Sequence, residues 1–130
     1  MAAADPFNLR RFVEAQASPV YERALGELRA AQKRTHWMWF IFPQHVDLGR
    51  SDTAKYYGLT GIDEARAYVD HPLLGPRLVE CCIAVRQQLV SGSSAEAMLG
   101  PVDALKLKSS MQIFAETDGH ACFREVLDLL

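Results

Sequence analysis

The side chains of this 130-residue chain that could do chemistry fall into three short blocks. In the first, His36 and Gln44 bracket the apolar run Trp37-Met38-Trp39-Phe40-Ile41-Phe42-Pro43, which holds both tryptophans of the protein. An imidazole at the edge of an aromatic run can act as a general acid or base near neutral pH, which makes His36 a candidate catalytic residue. A histidine at a helix start more commonly caps or packs. Trp37 and Trp39 offer flat apolar faces for stacking on a ring, with core packing as the competing reading. In the second block Asp63 and Glu64 open a helix that leads to His71-Pro72 and Arg77. Glu64 is the candidate catalytic carboxylate, although the dipole of a helix start already favours an acid there. In the third, Lys106-Leu107-Lys108 precedes Ser109-Ser110, a conceivable Ser/Lys nucleophile arrangement or simply a polar helix face. Arg66, Arg77 and Lys106 supply cations for an anion such as phosphate.

Other chemistries lack their residues. The histidines His36, His45, His71 and His120 show no metal-ligand spacing, so no metal is expected, and the eight glycines never group into a phosphate or dinucleotide loop. Cys81 and Cys82 are neighbours on a helical pattern, and with Cys122 they make an odd number that suggests small core residues in a reducing compartment rather than a disulfide framework. No cofactor is implied. The net charge of -2 argues against bulk attraction to nucleic acid. It is unevenly spread: residues 1 to 50 carry seven Lys/Arg and five Asp/Glu, residues 51 to 130 seven and eleven, which leaves room for a local basic patch at Lys33-Arg34. No window has the length of a membrane span and Met1 to Ala4 do not begin a signal peptide, so a soluble cytoplasmic protein is the default expectation.

The elements that must position these blocks read as helices throughout. Length and composition suit one domain over residues 1 to 130 with a full core. Asp5-Pro6 signals a first helix with Leu9, Phe12, Val13 and Gln16 on one face, and Ser18-Pro19 a second that runs to about Lys33. Thr35 is the expected cap of a short helix through the tryptophan run, stopped by Pro43. A strand is the rival there, but it would find no partner elsewhere in the chain. Residues 45 to 50 read as loop, and Ser51 caps a helix that ends at Gly58. His71-Pro72 separates a short helix from a long one carrying Leu74, Leu78, Cys81 or Cys82, Val85 and Leu89. Ser93 and Glu96 have capping-box spacing, Gly100-Pro101 opens the next helix, and Phe123, Val126, Leu127 and Leu130 line the last. The expectation is an all-α, orthogonal bundle of about eight helices.

The chain resembles the bacterial family known as domain of unknown function 1810. The likeness rests on His36 to Gln44, on Glu64-Ala65-Arg66-Ala67-Tyr68 with His71-Pro72, Gly75 and Arg77-Leu78, and on Leu105 to Met111 with Phe114. It implies a compact helical domain and transfers no activity. Relatives of this type usually run beyond the position of Leu130, so the last helix is expected to be short of its full extent. More distantly, the layout is similar to the NADAR superfamily, whose members cleave N-glycosidic bonds in ADP-ribose-type compounds. That likeness implies Glu64 as the carboxylate, Trp37 or Trp39 as a stacking platform, and Lys106 or Arg77 as a phosphate contact.

Two functional expectations follow. In one, the three blocks converge on a nucleotide-like anionic ligand, with Glu64 and His36 catalytic and Trp37, Trp39, Gln44, Arg77, Lys106, Ser109 and Ser110 binding. In the other, the same residues are core and surface determinants of a non-enzymatic interaction module.

Overall fold

A computed structural model describes residues 4–130, and among these it contains nine α-helices and no strand. They are α1 (Arg10–Ala15), α2 (Val20–Arg29), α3 (Met38–Ile41), α4 (Asp52–Tyr56), α5 (Ile62–Asp70), α6 (Leu74–Val90), α7 (Ala95–Leu99), α8 (Pro101–Ala115) and α9 (Ala121–Leu129). The all-α expectation is met.

Helix α6 is the axis of the bundle. It packs against α2, α5 and α9, while α8 closes the other side against α5, α7 and α9. A helix with neighbours on several sides needs apolar residues around a wide arc. Accordingly Leu74, Leu78, Cys81, Cys82, Ala84 and Val85 are all buried, whereas Leu89, at the end of the expected stripe, is only half-buried. The start of α6 lies hard against the end of α5, because Gly75 has no side chain. A Cβ there would overlap the backbone carbonyl of Val69.

Polar side chains pin the helix ends. Asp5 accepts the Leu9 and Arg10 N–H groups at 2.7 and 3.0 Å, so it caps α1 from a turn upstream rather than opening the helix directly. His71 accepts the N–H groups of Leu73 and Leu74 through Nδ1 at 3.1 and 3.2 Å, which shapes the break before α6 as the His-Pro pair suggests. His120 caps α9 in the same way, Nδ1 accepting from Cys122 N–H at 2.9 Å. One expected cap and one expected helix end differ. Ser94, not Ser93, caps α7, its hydroxyl taking the Ala97 N–H at 3.0 Å. Helix α2 stops at Arg29 instead of Lys33, where Ala31 takes φ 56° and the chain turns so that Lys33 N–H donates to the Met98 carbonyl at 2.8 Å. Between α3 and α4, residues 45 to 50 hold a 3-10 turn, Val46–Leu48, and His45 forms a single parallel bridge with Leu59.

Candidate functional site

The tryptophan block is organised by a residue from another element. Thr35 does not cap α3; its hydroxyl donates to Glu27 Oε2 on α2 at 2.6 Å. Glu27 also accepts the backbone N–H groups of Arg34 and Thr35 at 2.7 and 3.0 Å and the Trp37 indole N–H at 2.9 Å. Burial on its own would raise this carboxyl, but the four hydrogen bonds outweigh it and hold the group at about 2. The Glu27 knot thus fixes the entry to α3 and sinks Trp37 into the core, 1 % exposed.

Residues two apart lie about 200° around a helix, so the second indole must face elsewhere. Trp39 is half-buried at the surface, and Lys106 of α8 holds its Nζ 5.3 Å from the ring centroid. Lys33 Nζ stands 5.2 Å from the Trp37 ring. Both lysines converge on one acid, since Asp103 meets Lys33 at 3.0 Å and Lys106 at 3.5 Å. Two ammonium groups sharing one carboxylate leave a net positive charge beside an indole face. One turn further along α8, Ser110 is buried with its hydroxyl lacking a partner among the described residues, and Ser109 is half-buried.

The polar side chains of the second block have partners of their own. Glu64 is 1 % exposed and both of its oxygens are taken: Oε2 by Arg11 Nη2 at 2.7 Å, Oε1 by the Thr60 N–H and hydroxyl at 3.0 Å each. Arg11 also donates to the carbonyls of Phe7, Asn8, Tyr56 and Gly58. The pair clamps the start of the chain to the α4–α5 connection. Arg77 stacks its guanidinium 4.4 Å from the Tyr21 ring and donates to the Gln16 carbonyl at 3.3 Å. Arg77 and Glu64 thus have partners of their own, whereas Lys106 meets Asp103 and Trp39. His36 is exposed, and Gln44 is half-buried with its backbone carbonyl accepting from Leu59 N–H at 2.9 Å.

Open grooves lie elsewhere. One of about 610 Å³ runs along α6 between Arg29, Glu80 and Gln87 and the apolar Val69, Val79 and Ile83. Another of about 660 Å³ lies at Asp5, Phe7, Val13 and His71. Neither is lined by His36, Gln44, Arg77, Lys106 or the tryptophans. No group of three or more His, Cys, Asp or Glu side chains among the described residues stands together to hold a metal. No described helix is long and apolar enough to cross a membrane.

Sequence reasoning passed over Glu27, Arg11 and Asp103. Each carried a signal. Glu27 and Arg11 interrupt apolar faces beside Leu28 and Phe12, positions where a charge must find a buried partner, and Asp103 stands three residues before Lys106 on one helix face.

A compact helical bundle with its aromatic block pinned by a buried acid is the class of domain that this chain forms. The chain belongs to the family described as protein of unknown function DUF1810, whose model matches residues 6–130. It is similar to the crystal structure, at 1.38 Å, of the conserved hypothetical protein Rv1873 from Mycobacterium tuberculosis, with 53% sequence identity and a TM-score of 0.90 over 95% of this chain and 87% of that one. No curated protein matches it. The NADAR likeness is not among these matches.

Proposed function

We propose that this protein binds a small anionic aromatic molecule, nucleotide-like in joining a flat ring to a phosphate, on the surface where Lys106 overlies Trp39. The observation that carries the reading is the shared Asp103 carboxylate, which leaves one of two ammonium charges uncompensated beside a half-buried indole. An aromatic ring stacks on Trp39 and an anionic group displaces Asp103 from Lys106, while Lys33 keeps its closer contact. Hydrolysis by Glu64 is not part of this reading, because the carboxylate is 1 % exposed and each of its oxygens already has a partner in Arg11 or Thr60.

The test is a thermal-shift panel of adenine nucleotides, ADP-ribose and NAD. A ligand at a hundredfold excess over its Kd adds about 2.7 kcal/mol of stability, a readily measured rise in Tm. Lys106→Ala and Trp39→Ala should abolish the rise while Arg29→Ala, in the α6 groove, preserves it. The reverse pattern would move the site to that groove.

Two observations favour the second reading, an interaction module without a small-molecule site: Trp37 is packed in the core, and Glu64 is paired with the buried Arg11. A flat response across the panel would support it.

A further inference from the structure

We propose that Cys82 and Cys122 form a redox pair, which hydroperoxide-class oxidants convert into an intramolecular disulfide that bolts α9 onto α6. The two sulfurs stand 2.8 Å apart across the α6–α9 interface, although forty residues separate them in the chain. A disulfide bond is about 2.05 Å long, so closure requires less than an ångström of approach. Met111 Sδ lies 3.7 Å from Cys82 Sγ, which makes the surroundings a small sulfur cluster within an apolar core.

The three thiols are not equivalent. Cys81, on the adjacent position of α6, faces Tyr21 and Glu80, and burial pushes its thiol up to about 12. It is the inert member. Cys82 is raised as well, by its hydrogen bond with Cys122 and by burial. Cys122 is shifted the opposite way, by its contact with Cys82 and by the positive charge of the Arg86 guanidinium. Arg86 is itself held at the interface by Glu125, 2.7 Å away. Cys122 also occupies the first turn of α9, where helix geometry favours a thiolate.

Both sulfurs are buried, so an oxidant needs a way in. A depression of about 370 Å³ lined by Ala115, Asp118, His120, Ala121 and Arg124 borders the first turn of α9. Local opening of the first turn of α9, beside this depression, exposes Cys122.

The chemistry balances with one peroxide. The Cys122 thiolate attacks a peroxide oxygen, the O–O bond breaks, and the departing hydroxide leaves as water with the proton the thiol gave up. Cys122 is then a sulfenic acid. Cys82 attacks its sulfur, the S–O bond breaks, and the second hydroxide leaves as water with the Cys82 proton. Two thiols are oxidised to one disulfide and one peroxide is reduced to two waters.

The experiment treats the folded, reduced chain with hydrogen peroxide, then quenches, denatures and alkylates it for intact-mass and peptide analysis. The expected result is a single alkylated cysteine, Cys81, a mapped Cys82–Cys122 link, and a Tm raised by roughly 10 °C that dithiothreitol reverses. Cys81→Ser should behave like the wild type, and Cys82→Ser should leave a sulfenic acid on Cys122 that dimedone traps. Three alkylated cysteines after treatment, a link through Cys81, or a link only between chains would each overturn the proposal.

Discussion

Trp37 donates its indole N–H to Glu27 Oε1 at 2.9 Å, a bond between the core of the tryptophan block and the flank of α2. Because the same carboxylate gathers the Arg34 and Thr35 N–H groups and the Thr35 hydroxyl, it fixes the turn that leads into α3, whose start has no side-chain cap. Glu27→Ala leaves the indole N–H buried without an acceptor and frees the turn before α3. The expected cost is roughly 2–4 kcal/mol, read as a lower urea midpoint with an unchanged slope. A loss below half a kcal/mol would show that the knot does not hold the block.

The same carboxylate predicts a dependence on pH. Its folded value of about 2 lies below the ordinary 4.5, so the unfolded chain binds the proton first as pH falls. Its contribution is complete above about pH 4.5 and is lost as the pH drops towards 2. With allowance for solvent screening the effect is about 1–2 kcal/mol. Glu27→Gln removes this titration, so the stability gap between the variant and the wild type should narrow over that window. Parallel curves from pH 6 to pH 2.5 would contradict it.

Arg11 and Glu64 are unequal partners. Arg11→Met strands the Glu64 carboxylate and four backbone carbonyls, and should cost roughly 3–5 kcal/mol. Glu64→Gln keeps an oxygen for Thr60 and leaves Arg11 fixed by the carbonyls, so about 1–2 kcal/mol is expected. Urea midpoints of the two variants give the order directly. A costlier Glu64→Gln would place the weight of the clamp on the carboxylate.

How much of this was legible in the sequence differs by the range of the interaction. The helices that carry the blocks follow from local signals: the apolar stripes, Pro43 as a stop, and Ser51 as a cap whose hydroxyl takes the Ala54 N–H at 3.1 Å. Helix α2 ended early because a long-range bond, Lys33 N–H to the Met98 carbonyl, competes with another helical turn. Thr35 has the chemistry of a cap, yet a distant carboxylate claimed its hydroxyl. The divergence of Trp37 and Trp39 followed from helical geometry, but which of them turns inward depended on Glu27 and Lys106, which no spacing connects to them. Arg77 and Lys106 were grouped by charge alone, and the fold gives them different partners: Tyr21 and the Gln16 carbonyl for one, Asp103 and Trp39 for the other.

Two glycines should respond oppositely to alanine. Gly75→Ala drives a methyl group into the Val69 carbonyl, which moves only if α5 and α6 separate, and about 3 kcal/mol or more should be lost. Gly26, within α2, has nothing within 4 Å of the position of a Cβ. There the substitution should stabilise the protein by about 0.4–1 kcal/mol through helix propensity and a less flexible unfolded chain. Melting temperatures of the two variants decide it, and equal shifts would mean that α6 does not start against α5 as described.

The two tryptophans separate folding from binding. Trp37 is surrounded by core, with Phe42 at 6.5 Å between ring centroids, and its N–H is committed to Glu27. Trp37→Ala should therefore cost about 3–5 kcal/mol, and even Trp37→Phe leaves the carboxylate short of one donor. Trp39 lies at the surface under Lys106, so Trp39→Ala should cost under about 2 kcal/mol in the free protein, since a half-exposed side chain has less burial to lose. If the indole under Lys106 is a stacking platform, the same Trp39→Ala chain keeps its fold, by circular dichroism, and loses the nucleotide-dependent rise in Tm. Trp37→Phe should keep that rise, on a lower baseline. A Trp39→Ala protein that still responds to nucleotide would remove the indole from the proposed site, and one that fails to fold would make Trp39, too, a core residue.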